Sequence, residues 1–162
     1  MLMMNSVLVI DDSEEIAKSI VLMFRELRDI NVSYVLTLEQ ADEELRSNKY
    51  DAVVLDLMFP GDSPDSLSGL EYISSIKNLY PEMAIIILTG NSAECTAIEA
   101  LNRGADAFLV KPFKVVELRK MIEETLTKQE EVGFRQALIS AYFRIGRAMA
   151  ISKSAFEEAD KA

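Results

Sequence analysis

The sequence predicts an α/β fold: a doubly wound parallel sheet of five strands, followed by a C-terminal helical tail. Three observations carry this. Short apolar, β-branched runs recur at Val7–Ile10, Val32–Leu36, Ala52–Leu57, Ala84–Leu88 and Ala107–Val110. These runs do not alternate apolar with polar residues, the habit of strands buried on both faces. Helical patterns separate them, and strand-then-helix repeated five times selects parallel strands with helices on both faces.

Each helix has its own signals. Ser13 is placed to cap the first, with Glu14 and Glu15 near its positive end and Ile16, Ile20, Met23, Phe24 and Leu27 on one face. The second opens at Thr37 or Leu38 and turns Ala41 and Leu45 inward. The third carries Leu70, Ile73, Ile76 and Leu79 and stops before Pro81. The fourth runs from about Ala93 to Arg103, with Gly104 as its C-terminal cap. The fifth follows Pro112 with Val115, Val116, Leu118, Met121 and Ile122.

Composition narrows the function. The chain has 162 residues, 49% of them hydrophobic, enough for a core. Seventeen basic and 27 acidic residues give a net charge of −10, against the basic face that nucleic acid requires. The absence of histidine excludes Ser-His-Asp and Cys-His catalysis, imidazole zinc sites and a phosphohistidine donor role for this chain. A single cysteine, Cys95, permits no internal disulfide and fits a reducing, cytoplasmic setting. No apolar run approaches the roughly 18 residues of a membrane span. The opening MLMMNSVLVIDD lacks a basic n-region and reads as a first strand.

In a parallel sheet all carboxyl ends share one edge, and ligands bind there. Strand 1 delivers Asp11 and Asp12 to that edge, strand 3 Asp56, strand 4 Thr89 and strand 5 Lys111. Singly, each has an ordinary use: a helix cap, a turn residue, a lysine snorkelling at a strand end. Jointly they make a site. Three clustered carboxylates repel and take up protons unless a cation relieves them. Hard oxygen ligands with open positions suit Mg²⁺. A carboxylate can attack a phosphoryl group to give an aspartyl-phosphate, and the transfer needs mainly alignment and charge neutralisation. Asp56, last on the central strand, is the best nucleophile; Lys111 and the Thr89 hydroxyl are suitable neutralisers.

With these residues in place, the chain resembles the receiver domain of two-component response regulators. VLVIDDSE, DAVVLDLMFPG, GLEYI, IIILTG, ALNRGADAFLVKPF and VVELRKMI carry the resemblance over roughly residues 5–124. It implies a flavodoxin-like sheet of order 2-1-3-4-5. It implies Asp56 as phosphoacceptor and Asp12 as a direct Mg²⁺ ligand, with Asp11 orienting metal-bound water. It further implies the Met58 backbone carbonyl as a third protein ligand, and Thr89 and Lys111 on the phosphoryl oxygens. Phe108 takes the aromatic switch position, and the Lys111–Pro112 bond is expected to be cis. The donor would be a phosphohistidine on a sensor histidine kinase or phosphotransfer protein. The chain would then be a switch with slow autodephosphorylation rather than a conventional enzyme. Haloacid dehalogenase-type hydrolysis wants an aspartate two residues after the nucleophile, where this chain has Met58. A constitutive dimeric scaffold with a receiver fold is the other alternative.

Four features need separate reading. The Phe59–Ser68 loop, with Asp62 and Asp65, is about five residues longer than usual: a solvated loop, or a lid over the acidic pocket. Asn91 sits where hydrolysis is tuned, and Cys95 begins the fourth helix as a small hydrophobe or a reactive thiol. The composition also shifts near residue 125, dividing a receiver (1–124) with 22 acids and 11 bases from a helical extension (125–162) with 5 acids and 6 bases. In the extension, Phe134, Leu138, Ala141, Ile145 and Ala148 recur at 4-3-4-3 spacing, widened by Ile139, Tyr142, Phe143 and Met149. The helix is expected to loosen at Gly133 and to fray over Phe156–Ala162. Its stripe needs cover: a homodimer through residues 130–155, packing back on the receiver, or an output region that begins here.

Overall fold

The computed structural model describes residues 4–26, 29–58, 68–90 and 94–159. Strands and helices alternate along the chain: β1 (Asn5–Ile10), α1 (Glu14–Phe24), β2 (Ile30–Val35), α2 (Leu38–Ser47), β3 (Ala52–Asp56), α3 (Ser68–Leu79), β4 (Ala84–Thr89), α4 (Glu94–Asn102), β5 (Ala107–Val110) and α5 (Val115–Ala159). The five strands are parallel and lie in the order β2-β1-β3-β4-β5, the flavodoxin-like order.

Alternation of side chains along the central strands divides the core in two. Leu8, Ile10, Val53, Leu55, Ile85 and Ile87 face α2, α3 and α4, where Ala41, Leu45, Leu70, Ile73, Ile76 and Ala100 are buried. Val7, Val9, Ala52, Val54, Ile86 and Leu88 face α1 and the first turns of α5, meeting Ala17, Ile20, Phe24, Leu118 and Ile122. The runs in β1, β3 and β4 are continuous because both of their faces are covered.

The two edge strands depart from that expectation. On β5, Ala107 and Leu109 pack inward, while Phe108 and Val110 are 39% and 40% exposed. On β2 only Ile30 is fully buried. Met23 and Leu79, expected on inner helix faces, are exposed. Leu27 lies outside the described residues.

Caps set the helix ends. The Ser13 hydroxyl accepts from the Ile16 amide and that of Thr37 from the Gln40 amide. Beyond α4 the Gly104 amide donates to the Leu101 carbonyl and the Ala105 amide to that of Ala100, with Gly104 at φ +110. This 5→2 and 6→1 pair closes the helix on a left-handed residue that glycine adopts without strain. α5 does not loosen at Gly133 and continues through Phe156 to Ala159. A single interior glycine costs only about 1 kcal/mol of helix propensity, which its helix-forming neighbours outweigh.

The chain divides into two compact units, Met1–Leu126 and Thr127–Ala162. Among the described residues, no helix is long and apolar enough to cross a membrane.

Candidate functional site: an acidic pocket at the carboxyl edge

The sheet order brings distant residues to one edge. β1 and β3 are neighbours at its centre, so the residues that end them, Asp11–Asp12 and Asp56, converge. Asp56 pairs in register with Leu88, and Thr89 with Val110, which places Thr89 and Lys111 on the same edge. The Lys111 amide donates to the Thr89 carbonyl at 2.7 Å, extending the β4–β5 pairing by one residue.

Asp11, Asp12 and Asp56 each place a carboxylate oxygen within 4.8 Å of the others. Asp11 is fully buried, Asp56 nearly so, and Asp12 half-buried, so the cluster opens to solvent on the Asp12 side. Lys111 Nζ lies 2.6 Å from Asp56 Oδ2 and 3.2 Å from Asp11 Oδ2. The remaining oxygens are held by backbone: the Ser13 amide donates to Asp11 Oδ1 at 2.9 Å and the Met58 amide to Asp56 Oδ1 at 3.1 Å. Asp11 therefore does not cap α1 itself; it orients the turn whose cap is Ser13.

The electrostatics follow from crowding three acids around one cation. Burial raises the Asp11 carboxyl above its ordinary range, and the Asp56 charge adds to this against the Ser13 amide and Lys111. Burial alone would lower the Lys111 ammonium, but the hydrogen bond and charge of Asp56, then Asp11, hold it above its ordinary value. One lysine does not balance three carboxylates. A ring of hard oxygens, part backbone-ordered and open on one side, fits a small divalent cation that retains several waters.

The other expected residues are placed as follows. Thr89 is buried, and its hydroxyl reaches the Gly90 carbonyl at 3.5 Å, the limit of a hydrogen bond. Phe108 stands partly exposed on β5, and the Lys111–Pro112 bond is cis. The Met58 side chain is 71% exposed, so only its backbone belongs to the pocket. Residues 59–67, with Asp62 and Asp65, and Asn91 lie outside the described residues, as do the surroundings of Ser68 and Cys95.

Sequence reasoning missed residues that hold the chain at both edges of the sheet. Gly69 opens α3 against the residue after Asp56: a Cβ there would lie 2.9 Å from the Leu57 carbonyl oxygen. At the opposite edge of the sheet, Asp51 accepts from the Ser6 amide at 2.7 Å and Asp106 from the Ile85 amide at 2.8 Å. Lys77 bridges Asp106 to the Met83 carbonyl. The available signal was an acid just before each of β3 and β5, which reads equally well as a turn residue.

Comparison with known proteins agrees with this geometry. Residues 7–123 match the family model of the response regulator receiver domain. An NtrX-like response regulator of Rickettsia bellii is 31% identical over 144 residues, covering 86% of this chain and 29% of the relative. The regulatory protein VanR of Enterococcus faecium is 32% identical over 131 residues, covering 80% of this chain and 53% of the relative. The chain thus spans about a third to a half of the length of these relatives. Among solved structures, a CheY-like receiver domain protein of Methanospirillum hungatei superimposes with TM-score 0.69 at 25% identity, over 79% of this chain and 98% of that one. NtrX of Brucella abortus gives TM-score 0.75 at 25% identity, over 84% of this chain and 30% of its own.

Proposed function

This chain belongs to the response regulator receiver family, and we propose that it takes a phosphoryl group onto Asp56 and changes its protein contacts as a result. The observation that carries the reading is the Lys111 ammonium bridging Asp56 and Asp11 beside the Asp11–Asp12–Asp56 cluster. In the transfer, a carboxylate oxygen of Asp56 attacks the phosphorus of a phosphohistidine on a sensor histidine kinase or phosphotransfer protein. The P–N bond breaks, and its electron pair returns to the imidazole of the donor.

Lys111 Nζ already touches Asp56 Oδ2, so its charge stands beside the carboxylate before the donor arrives. Preorganised charge of this kind needs no rearrangement during the reaction. The Met58 amide fixes the rotation of the Asp56 carboxylate. Asp11, Asp12, Asp56 and the Met58 carbonyl are the residues that would hold Mg²⁺. When bound, that ion supplies charge neutralisation for the acids and the incoming phosphoryl oxygens.

The response is a population shift. Thr89, weakly held at Gly90, turns its hydroxyl toward the phosphoryl oxygens, and the half-exposed Phe108 ring turns inward behind it. Ile98 and Leu101 on α4 and Val110 on β5 are exposed apolar side chains on the face that would change partners. Residues 1–124 make up the receiver in this reading. Residues 125–162 form a helical extension, paired with a second copy through residues 130–155. Contact is with proteins rather than nucleic acid or membrane, and the setting is cytoplasmic.

The test is intact mass after incubation with Mg²⁺ and a small acyl-phosphate donor. Wild type is expected to gain one phosphoryl group and Asp56→Ala none. Equal labelling of both, or of neither, overturns the reading.

A further inference from the structure

Two aspartates close the sheet in the same way at the edge away from the pocket. The Asp51 amide donates to the Ser6 carbonyl at 2.8 Å, and its carboxylate accepts from the Ser6 amide at 2.7 Å. The Asp106 amide donates to the Ile85 carbonyl at 2.8 Å, and its carboxylate accepts from the Ile85 amide at 2.8 Å. Each aspartate thus joins both backbone groups of one residue on the neighbouring strand. Asp51 stands five residues before Asp56, and Asp106 five before Lys111. Asp56 and Lys111 are the pair that meets in the pocket at 2.6 Å.

The two strands differ in what else holds them. β3 lies between β1 and β4, and all five of its residues are buried. β5 has four residues, pairs with β4 alone and ends the sheet. A buried face normally sets a strand's register, because a slip of one residue turns the apolar set outward. β5 reads Ala-Phe-Leu-Val, apolar on both faces, so its pattern does not choose between them. Ala107 and Leu109 pack inward, while Phe108 and Val110, equally apolar, stand partly exposed. The choice falls to a polar contact, and a slip here would turn Lys111 away from Asp56.

We infer that Asp106 is a positioning residue for Lys111: its carboxylate, bonded to the Ile85 amide, sets the register of β5 against β4 and so directs the lysine to the pocket. This rests on the phosphoryl transfer proposed above and assigns a part in it to a residue at the opposite edge. The carboxylate is itself held. Lys77 Nζ lies 2.9 Å from the same oxygen and 2.7 Å from the Met83 carbonyl. At the far end the Lys111 amide bonds the Thr89 carbonyl, so β5 is fastened at both ends.

The experiment reads two quantities on the full chain. One is hydrogen exchange of the β5 amides without phosphodonor. The other is the rate of phosphoryl uptake, followed by intact mass with Mg²⁺ and a small acyl-phosphate donor. Uptake is proportional to the fraction of molecules with Lys111 in place. Asp106→Ala is expected to speed exchange over residues 107–111 and to slow uptake, each roughly three- to tenfold. Mg²⁺ binding should not weaken, since the three acids stand at the ends of β1 and β3. Asp106→Asn keeps an oxygen for the Ile85 amide and is expected to restore both quantities. Asp51→Ala removes the same bond from a strand held on both sides, and is expected to lower stability with uptake near wild type.

Unchanged β5 exchange in Asp106→Ala overturns the register role. Faster exchange with uptake at the wild-type rate overturns the positioning of Lys111. Equal slowing by Asp106→Ala and Asp51→Ala, or an Asp106→Asn variant as slow as the alanine, marks a loss of general stability and overturns it too. A wild type that takes up no phosphoryl group overturns the reading at Asp56, and the exchange result still decides the register.

Discussion

Three carboxylates around one ammonium leave the pocket under tension, and substitutions on its two sides act in opposite directions. Burial and the Asp56 charge disfavour the ionised form of Asp11. A neutral isostere keeps the shape and removes that repulsion. Asp11→Asn is therefore expected to raise the midpoint of thermal unfolding without divalent cation by about 2–4 °C, and to abolish most of the further rise expected of wild type with Mg²⁺. Lys111→Ala leaves Asp56 and Asp11 without their shared cation and lowers the midpoint. Scanning calorimetry with and without Mg²⁺ reads both signs, and a lower midpoint for Asp11→Asn would contradict the repulsion argument. Away from the pocket, the Tyr72 hydroxyl donates to Asp42 Oδ1 at 2.9 Å, and burial followed by that bond pushes the phenol pKa well up. The folded chain holds this proton more tightly than the unfolded one. Its stabilisation is complete below about pH 10 and is lost as pH rises from there through the higher folded value. Tyr72→Phe should cost about 1 kcal/mol at neutral pH and give a shallower loss of stability above pH 10, read from denaturant midpoints.

The helices and strands rest on backbone approaches that side-chain patterns do not announce. A Cβ on Gly69 would meet the Leu57 carbonyl oxygen at 2.9 Å, and one on Gly104 would meet Lys77 Cγ at 2.9 Å in a left-handed conformation. Gly104→Ala is expected to cost about 1–3 kcal/mol. Gly69→Ala should cost a similar amount by overpacking. It differs in kind, because the backbone it displaces follows Asp56. It should slow phosphoryl uptake in the intact-mass assay, whereas Gly104→Ala should leave the rate near wild type. Gly133 meets nothing, so Gly133→Ala should raise the stability of the helix by up to about 1 kcal/mol, visible by far-UV circular dichroism. The same contrast explains how much was legible beforehand. β1, β3 and β4 stood out because burial on both faces leaves an uninterrupted apolar run. β5 has an apolar run as well, and only its place at the sheet edge exposes Phe108 and Val110. The pocket residues were readable because strand ends converge by rule in a parallel sheet. Asp51 and Asp106 were not, since each acts on a strand that is its neighbour in space and remote in sequence; nor was Lys77, whose partner Asp106 lies 29 residues on.

At the scale of the molecule, two kinds of cohesion meet along α5. Its first turns, through Leu118, Ile122 and Leu126, complete the core against β1, β3 and β4 and belong to the unit Met1–Leu126. From Thr127 onward the helix belongs to a second unit, and over residues 130–141 its side chains are exposed. Local helices shorter than about 12–15 residues are marginal alone, and longer ones in water rely on packing of an apolar face. The first unit therefore should not depend on the second, while the second should depend on a partner. A chain ending at Leu126 keeps every residue of both core clusters and all of Asp11, Asp12, Asp56, Thr89 and Lys111. It is expected to unfold cooperatively, to take up Mg²⁺ and to gain one phosphoryl group on Asp56, each as expected of the full chain. It should be monomeric at every concentration. The isolated segment 127–162 should in contrast show helicity that rises with its own concentration. If the shortened chain fails to fold or to accept the phosphoryl group, the extension supports the receiver directly. If it remains dimeric, another face joins the copies, and the seam through Phe134, Leu138 and Ala141 has a different use.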